Sequence, residues 1–188
     1  MARPRSDDKR AAIISAATRV IARDGLGAAT AAIAKEAGVS NGSLFTYFET
    51  KAELLNALYL ELKTERAEAA LDGLSAKGSI RKQAHQSWLS TLRWAIAHPD
   101  KRRALTHLGV SPDLTPATRQ AGHRIMAGVA RMLEQSRASG PMKAVPLEFV
   151  VGMMSAISDA TIDFMVRDKA NAEQHCNAGF EAFWRMIT

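Results

Sequence analysis

The sequence predicts an all-α fold, and three observations support that prediction. Apolar residues recur at intervals of three and four along the 188-residue chain, which is the period of amphipathic helices. Six prolines and twelve glycines punctuate these segments. No segment shows the strict alternation of apolar and polar residues that is typical of a β-strand. With 47% hydrophobic residues, the chain is long enough to bury one or two cores.

The first predicted helix occupies most of the first 25 residues. Ser6 can cap its amino terminus. Ile13, Ala17 and Val20 then share one apolar face, and Gly25 marks the end.

Two shorter helices are predicted next. Thr30 can cap the second helix, which runs to Ala37. Gly38 follows, and glycine is the residue best suited to a left-handed turn at a helix end. The third helix starts at Ser40.

Longer helices are predicted over the remainder of the chain. Thr50 and Glu53 have the spacing of a capping box, which predicts a fourth helix running to about Leu71. Five further helices are predicted after that. The first contains Trp88 and ends near residue 98, and the second starts near Lys101. The others are expected from Thr115 to Gly140, over residues 146–168 and over residues 172–187.

The composition narrows the class of protein. A formal net charge of +6 and an isoelectric point of about 9.8 favour an acidic partner, such as nucleic acid or an anionic membrane. Charges precede and interrupt the first apolar stretch, which argues against a signal peptide, and no uncharged apolar run approaches the roughly eighteen residues of a membrane helix. The single cysteine, Cys176, fits a reducing cytoplasm. We expect a cytoplasmic protein without membrane attachment.

The second and third predicted helices have the features of a helix-turn-helix. This motif needs a small residue where the helices cross, a glycine in the turn and apolar residues at the contacts between the helices. Ala34 and Gly38 meet the first two needs, and Ile33, Val39 and Leu44 meet the third. The outward positions of the third helix then carry short, uncharged side chains, which is what a close approach to base edges in the major groove requires.

These residues resemble a known family. Residues 8–55, above all "AATAAIAKEAGVSNGSLFTYFETKAELL", resemble the amino-terminal domain of the TetR family of bacterial transcriptional regulators. The resemblance implies a dimeric regulator with a three-helix DNA-binding domain, expected over residues 1–51, and a larger helical domain for effector binding and dimerisation over residues 52–188. The residues expected at double-stranded DNA are Thr30, Ser40, Asn41, Gly42, Ser43, Phe45, Thr46, Tyr47 and Lys51.

The chain departs from the family pattern at the recognition helix. Asn41 stands where lysine is frequent, Phe45 where tyrosine is frequent, and Thr46 where histidine or tyrosine is frequent. The operator therefore cannot be inferred from relatives. A basic amino-terminal arm could add contacts to the minor groove or to phosphates, or could be a solvated tail; it consists of Arg3, Arg5, Lys9 and Arg10.

The resemblance also implies an effector pocket and a dimer interface in the carboxy-terminal domain. A small apolar or aromatic effector would suit the candidate pocket residues His85, Trp88, Met126, Phe149 and Met153, although core packing explains them equally well. The candidate dimer residues are Phe180, Phe183, Trp184 and Ile187, although the same stripe could pack within one subunit.

The predicted function is a sequence-specific repressor that a small molecule releases from a palindromic operator. The sequence contains no phosphate-binding loop, nucleophile elbow or metal-ligand spacing, so we expect no enzyme activity, cofactor or metal. A basic DNA-binding protein without sequence preference is the main alternative. A protein that has kept the fold and lost DNA binding is a weaker one, since Tyr47 and Lys51 are present.

Overall fold

The computed structural model describes residues 4–74 and 78–188, with side chains described from residue 7 onward, and it confirms the all-α prediction. Within these ranges there are helices and no strand. They are α1 (Pro4–Asp24), α2 (Thr30–Glu36), α3 (Asn41–Tyr47), α4 (Lys51–Leu71), α5 (Ile80–Ala97), α6 (Pro99–Gly109), α7 (Pro116–Ile125), α8 (Ala127–Arg137), α9 (Leu147–Arg167) and α10 (Ala172–Ile187), with a short 3-10 helix (Lys169–Asn171) before α10.

Two helix starts differ from the predictions. α1 begins at Pro4, so Ser6 lies inside its first turn and not at its N-cap. α2 begins one residue early, because Ala29 is its N-cap, in an extended conformation with φ −74° and ψ 143°. The Ala29 carbonyl accepts the first helical hydrogen bond, from the Ala32 amide at 3.0 Å. Thr30 is therefore the first helical residue and does not cap α2.

The single helix predicted from Thr115 to Gly140 is wrong, because the structure divides it into α7 and α8. The break is at Met126, whose φ of −83° and ψ of 4° lie outside the helical region. Apolar spacing continues across the break, so periodicity does not detect it. The first turn of α8 contains Gly128, a weak helix former, where a β-carbon would lie 2.9 Å from Cδ1 of Leu71.

Packing divides the chain into two compact units. The first comprises Met1–Glu65 and His98–Ile125, and the second comprises Arg66–Ala97 and Met126–Thr188. α4 therefore begins in the first unit and ends in the second. The boundary between residues 51 and 52 is implied by the family resemblance and stays a prediction.

The core of the first unit is built on α1. The predicted apolar face of Ile13, Ala17 and Val20 is fully buried, which confirms that part of the prediction. α1 packs against α2 and α6, and Leu54 and Leu58 from α4 are also completely buried. The helix-turn-helix packs against this core through α2.

The core of the second unit is formed by α5, α8, α9 and α10. The rings of Trp88 and Phe183 stack with their centroids 5.9 Å apart. The Trp88 indole N–H donates to the carbonyl of Cys176 at 3.2 Å. Burial raises the pKa of the Cys176 thiol above its ordinary value, which is expected of a packing residue and not of a reactive thiol.

One helix among the described residues, α9, is long and apolar enough by length and composition alone to cross a membrane. Asp159 and Asp163 interrupt it, and its longest uncharged stretch covers residues 149–158. About a quarter of its most apolar window is buried inside the chain. A helix of this kind also occurs in the core or at an interface of soluble proteins.

Candidate nucleic-acid interface

The helix-turn-helix forms as the sequence predicts. Ile33 and Leu44 are fully buried, and Ala34 is 2% exposed. Ala37 and Val39 are half-buried beside them. The motif therefore has the small crossing residue and the apolar contacts between α2 and α3 that it requires.

The turn between the two helices is a complete Schellman motif centred on Gly38. The Val39 amide donates to the Ala34 carbonyl at 3.0 Å, and the Gly38 amide donates to the Lys35 carbonyl at 3.2 Å. Gly38 has φ +69°, in the left-handed region that a side chain disfavours. The prediction of a glycine turn at this position is confirmed.

Ser40 caps the amino terminus of α3. Its hydroxyl oxygen accepts a hydrogen bond from the Ser43 amide at 3.0 Å. Among the bonds of the described residues the Ser40 hydroxyl only accepts, so its hydrogen remains available to a partner. The cap stabilises the amino terminus of the short α3 helix, and the buried side chain of Leu44 holds this helix on the core.

The outward face of α3 is exposed and uncharged. Asn41, Gly42, Phe45 and Thr46 are exposed, and Ser43 is half-buried. The Thr46 hydroxyl donates to the Gly42 carbonyl at 3.3 Å, within the helix. The Asn41 amide has no hydrogen-bond partner within the described ranges. Apart from Phe45, this face has the short side chains that a reading helix needs.

Tyr47 and Lys51 lie at the far end of α3 and the start of α4. Tyr47 is half-buried, and its hydroxyl bonds to none of the described residues. The Lys51 ammonium donates to the Leu26 carbonyl at 2.6 Å, which ties the start of α4 to the loop after α1. One of its three donors is thereby used, and two remain for an external acceptor.

The start of α4 is capped largely as predicted. The Glu53 amide donates to the Thr50 hydroxyl at 3.0 Å. The Glu53 carboxylate reaches back to the Glu49 amide at 2.7 Å, one residue earlier than in the standard capping box. The start of α4 is therefore held by three separate polar contacts, which are these two and the bond from Lys51 to Leu26.

The predicted basic arm is only partly described. Arg3 lies outside the described residues, and Arg5 is helical with its side chain outside the description. Lys9 and Arg10 belong to α1, so they are not part of a loose tail. Arg10 forms an ion pair with Glu61 at 2.6 Å and lies 5.3 Å from the ring centroid of Phe48.

A polar contact that sequence reasoning missed connects α4 to the turn between α6 and α7. The Asn56 side-chain amide donates to the carbonyls of Ala52 at 2.7 Å and Asp113 at 2.8 Å. Its carbonyl oxygen accepts from the Thr115 amide at 3.0 Å. An asparagine in the interior of an apolar helix is disfavoured by propensity, and this was the available signal.

The second unit contains a cavity of about 50 Å³ between α5, α8 and α9. Its lining is mainly apolar, with several hydroxyl groups. The lining residues include Trp88, Leu92, Met126, Met132, Met154 and Phe183, with Ser87, Thr91, Ser136 and Ser158 among the polar ones. Of the five predicted pocket residues, Trp88 and Met126 line this cavity.

The other three predicted pocket residues lie elsewhere. Phe149 and Met153 are on the outer face of α9, with 57% and 38% of their surfaces exposed. His85 lies in an open polar groove, where its Nε2 is 3.0 Å from Oδ1 of Asn177 and its ring contacts Phe180 edge-on. The structure therefore does not bring the five residues together.

The predicted dimer residues are buried inside the chain. Phe180, Phe183 and Ile187 are at most 4% exposed, and Trp184 packs against the same core. The alternative of packing within one subunit is therefore the arrangement observed, because this face of α10 is turned toward α5 and α9. Among the described residues of the second unit, the large exposed apolar side chains are Leu71 on α4 and five on α9, which are Phe149, Val151, Met153, Phe164 and Val166.

The amino-terminal arrangement matches a known protein family. Residues 13–58 match the model of the bacterial regulatory proteins of the tetR family. A tetR-family transcription regulator from Shewanella sp. PV-4 is 33% identical, with a TM-score of 0.81 over 94% of this chain and 96% of that one. A TetR-family regulator from Marinobacter aquaeolei VT8 is 25% identical, with a TM-score of 0.84 over 98% of both chains.

A third solved structure shares the fold at lower identity. It is LfrR from Mycobacterium smegmatis, a TetR-like transcriptional regulator in complex with proflavine. It is 18% identical to this chain, with a TM-score of 0.68 over 96% of this chain and 98% of that one. In all three comparisons both compact units are covered, so the likeness extends well beyond the helix-turn-helix.

Proposed function

This chain belongs to the TetR family of bacterial regulatory proteins, and we propose that it is a repressor that binds a palindromic operator as a homodimer and is released by a small molecule. Regulation of transcription through DNA binding follows from the family. The sign of regulation, the symmetry of the operator and release by an effector are the proposal. We assign the protein no catalytic activity and expect it to act in the bacterial cytoplasm.

The observation that carries the proposal is the outward face of α3. It is exposed, has no charged residue and is held in place by the Gly38 turn and the Ser40 cap. A helix of this kind can enter the major groove closely enough to read base edges. A protein that bound DNA through charge alone would have no need for such a face.

Phosphate contacts are proposed to flank this reading face. Tyr47 can donate its hydroxyl, and Lys51 can donate its two remaining N–H groups while it holds Leu26. Ser40 can donate its hydroxyl hydrogen. Thr30 is the first residue of α2, and its hydroxyl does not cap that helix. These contacts would set the position of α3 on the duplex without reading sequence.

A homodimer through the outer face of α9 is proposed in place of the α10 stripe. Large apolar side chains stay exposed along α9, and Phe149 and Phe164 are each more than half exposed. Phe149, Met153 and Phe164 lie on one side of α9 by helical spacing, and an exposed apolar face of this kind marks an interaction surface. In the dimer, the two copies of α3 would lie about 34–36 Å apart, or a multiple of that distance, to match a palindrome.

The cavity lined by Trp88 and Met126 is the proposed effector site. At about 50 Å³ it is far below the roughly 300 Å³ or more that a small-molecule site occupies. An apolar or aromatic effector would therefore select a state in which the cavity is wider, and the three methionines in its lining can repack to allow this. The fold is compatible with such a ligand, since LfrR holds proflavine.

Release is proposed to act through α4. This helix starts beside the Lys51 contact in the first unit and ends at Ala70 and Leu71 in the second, where Ala70 lines the cavity. Movement of its carboxy-terminal end would displace its amino-terminal end and α3 with it. The distance between the two copies of α3 would then no longer fit the operator.

The test is recovery of DNA at physiological salt. The purified protein is incubated with fragmented DNA from its source and an excess of competitor, and the retained fragments are sequenced. An enriched palindrome supports the proposal, because a specific site keeps an affinity advantage of about thousandfold or more. Uniform recovery that falls steeply with salt would instead identify a sequence-indifferent binder.

Variants at the interface test the assigned roles. Tyr47→Phe and Lys51→Ala should weaken binding at all sequences, because they remove phosphate contacts. Thr46→Ala should change the preference at one or two base positions. If Thr46→Ala binds every site variant as the parent does, the reading face is wrongly assigned.

A further inference from the structure

Three positions of α3 form one surface, which we call the 42/45/46 face. Gly42, Phe45 and Thr46 are related by three and four residues, so they lie together on one side of the helix. All three are exposed. Helical side chains lean toward the amino terminus, so Phe45 and Thr46 extend over the turn that contains Gly42.

Gly42 is not explained by packing inside the chain. A β-carbon on this residue would meet only the Ser40 hydroxyl, at the ordinary contact distance of 3.9 Å, and its φ is not positive. Glycine in place of alanine costs helix stability. The open space at Gly42 therefore suits a group that comes from outside the protein.

Apolar groups border that space. Phe45 has no polar side-chain atom and is 39% exposed. The Thr46 hydroxyl donates its hydrogen to the Gly42 carbonyl, so toward a partner it can only accept, and the Thr46 methyl is the apolar group beside it. No charged side chain occurs anywhere in α3. The 42/45/46 face is thus an exposed, uncharged and mainly apolar surface.

We propose that the 42/45/46 face reads the 5-methyl group of thymine in the operator. This inference rests on the proposed function. In the major groove the thymine methyl is the distinctive apolar group, whereas guanine, adenine and cytosine are recognised by their hydrogen-bonding atoms. The 42/45/46 face has no charge, and the Thr46 hydroxyl already donates its hydrogen within the helix, so a methyl group is the partner that suits this face best. Asn41, with its free amide, reads a neighbouring base by hydrogen bonding.

The test combines changes on both sides of the contact. The probe is the fragment that the parent protein retains most strongly, synthesised with uracil in place of one thymine at a time, since uracil lacks only the methyl. The parent should lose about fourfold in affinity for one substituted half-site and about fifteenfold for both, as expected for about 0.8 kcal/mol per buried methyl.

Two variants of Thr46 form a matched pair. Thr46→Ser keeps the hydroxyl and removes the methyl, so it should bind the thymine probe about as weakly as the parent binds the uracil probe. It should also lose sensitivity to uracil at the affected position. Thr46→Val keeps a methyl and removes the hydroxyl, so it should retain both the affinity and the sensitivity of the parent.

The possible failures are distinguishable. A strongly retained operator whose binding is indifferent to uracil at every position would overturn methyl reading and leave the proposed function intact. Loss of affinity in Thr46→Val but not in Thr46→Ser would overturn it as well, because the hydroxyl would then be the reading group. If the parent retains no fragment selectively, both the proposed function and this inference fall.

Discussion

Helices α3 and α10 each contain a glycine, and the two glycines differ in whether the rest of the chain leaves room for a side chain. In α10, Gly179 faces α9, and a β-carbon there would overlap the Thr161 hydroxyl and lie 3.0 Å from its methyl carbon. In α3, a β-carbon on Gly42 would touch only Ser40. The first glycine is required by a neighbour within the chain, and the second is not. Because the φ of Gly42 is not positive either, nothing inside the chain requires glycine at that position.

The same contrast holds for aromatic residues in the second unit. Phe180 on α10 is 2% exposed, whereas Phe149 on α9 is 57% exposed. One side chain completes the core, and the other lies on the surface proposed for the dimer.

The largest effect is expected from truncating the buried aromatic side chain. Phe180→Ala should lower the free energy of unfolding by about 3–5 kcal/mol, because it leaves a cavity among Trp88, Trp184 and His85. Phe149→Ala should change it by no more than about 0.5 kcal/mol in the monomer. Urea unfolding followed by circular dichroism measures both, and equal losses would contradict the assignment.

Replacing glycine by alanine should change the free energy of unfolding in opposite directions at Gly179 and Gly42. Gly179→Ala should destabilise the fold by about 1–3 kcal/mol, because Thr161 must move and break its hydrogen bond to the Ile157 carbonyl. Gly42→Ala should stabilise it by up to about 1 kcal/mol. Thermal unfolding of the two variants decides this.

Gly42→Ala should at the same time weaken operator binding about tenfold, since the added methyl occupies the space at the 42/45/46 face. Fluorescence anisotropy with the recovered operator measures the affinity. A variant that is more stable and binds normally would show that Gly42 has no role toward DNA.

A smaller effect is expected at the proposed dimer surface. Phe149→Glu should weaken dimerisation at least tenfold, or about 1.4 kcal/mol, because it would place an unpaired carboxylate in an apolar interface. The matched control is Val110→Glu, at a valine that is 80% exposed in the first unit. Sedimentation equilibrium should show dissociation in the first variant only. Dissociation in both, or in neither, would remove α9 from the interface.

The smallest effect concerns the connection between α9 and α10. Hydrogen bonds from Asn171 and then His175 lower the pKa of Asp168 below its ordinary value. The stabilisation is therefore present above the ordinary aspartate pKa of about 3.9 and is lost as the pH falls through the lowered pKa. Asp168→Ala should unfold with a shallower pH dependence in that acidic range. An unchanged acid-unfolding profile would contradict a contribution from Asp168.

Contacts within one short segment could be predicted from sequence. The Gly38 turn and the Ser40 cap depend on neighbours fewer than six residues away, so residue type and spacing suffice to define them. The Thr30 cap failed within the same segment, because α2 starts at Ala29 and the choice between adjacent residues depends on fine backbone geometry.

Contacts between distant segments could not be predicted in this way. An apolar stripe such as that of α10 has the same period whether its neighbour belongs to the same chain or to another. Asn56 meets Asp113 across 57 positions, and Trp88 and Met126 meet at one cavity while Met153 points away. Periodicity says which residues share a face, but not what that face packs against.

Residue type and spacing are enough to indicate a helical protein, a helix-turn-helix formed by α2 and α3, and an uncharged outer face on α3. Those features depend on local propensity, capping and turn geometry, which act over one or two helical turns. The packing of the helices was needed to establish that the apolar stripe of α10 is buried, that Phe149 and Phe164 on α9 are exposed, that the cavity is small, and that the space at Gly42 is open. Each of these depends on which helices meet, and that is settled by the packing of the whole chain.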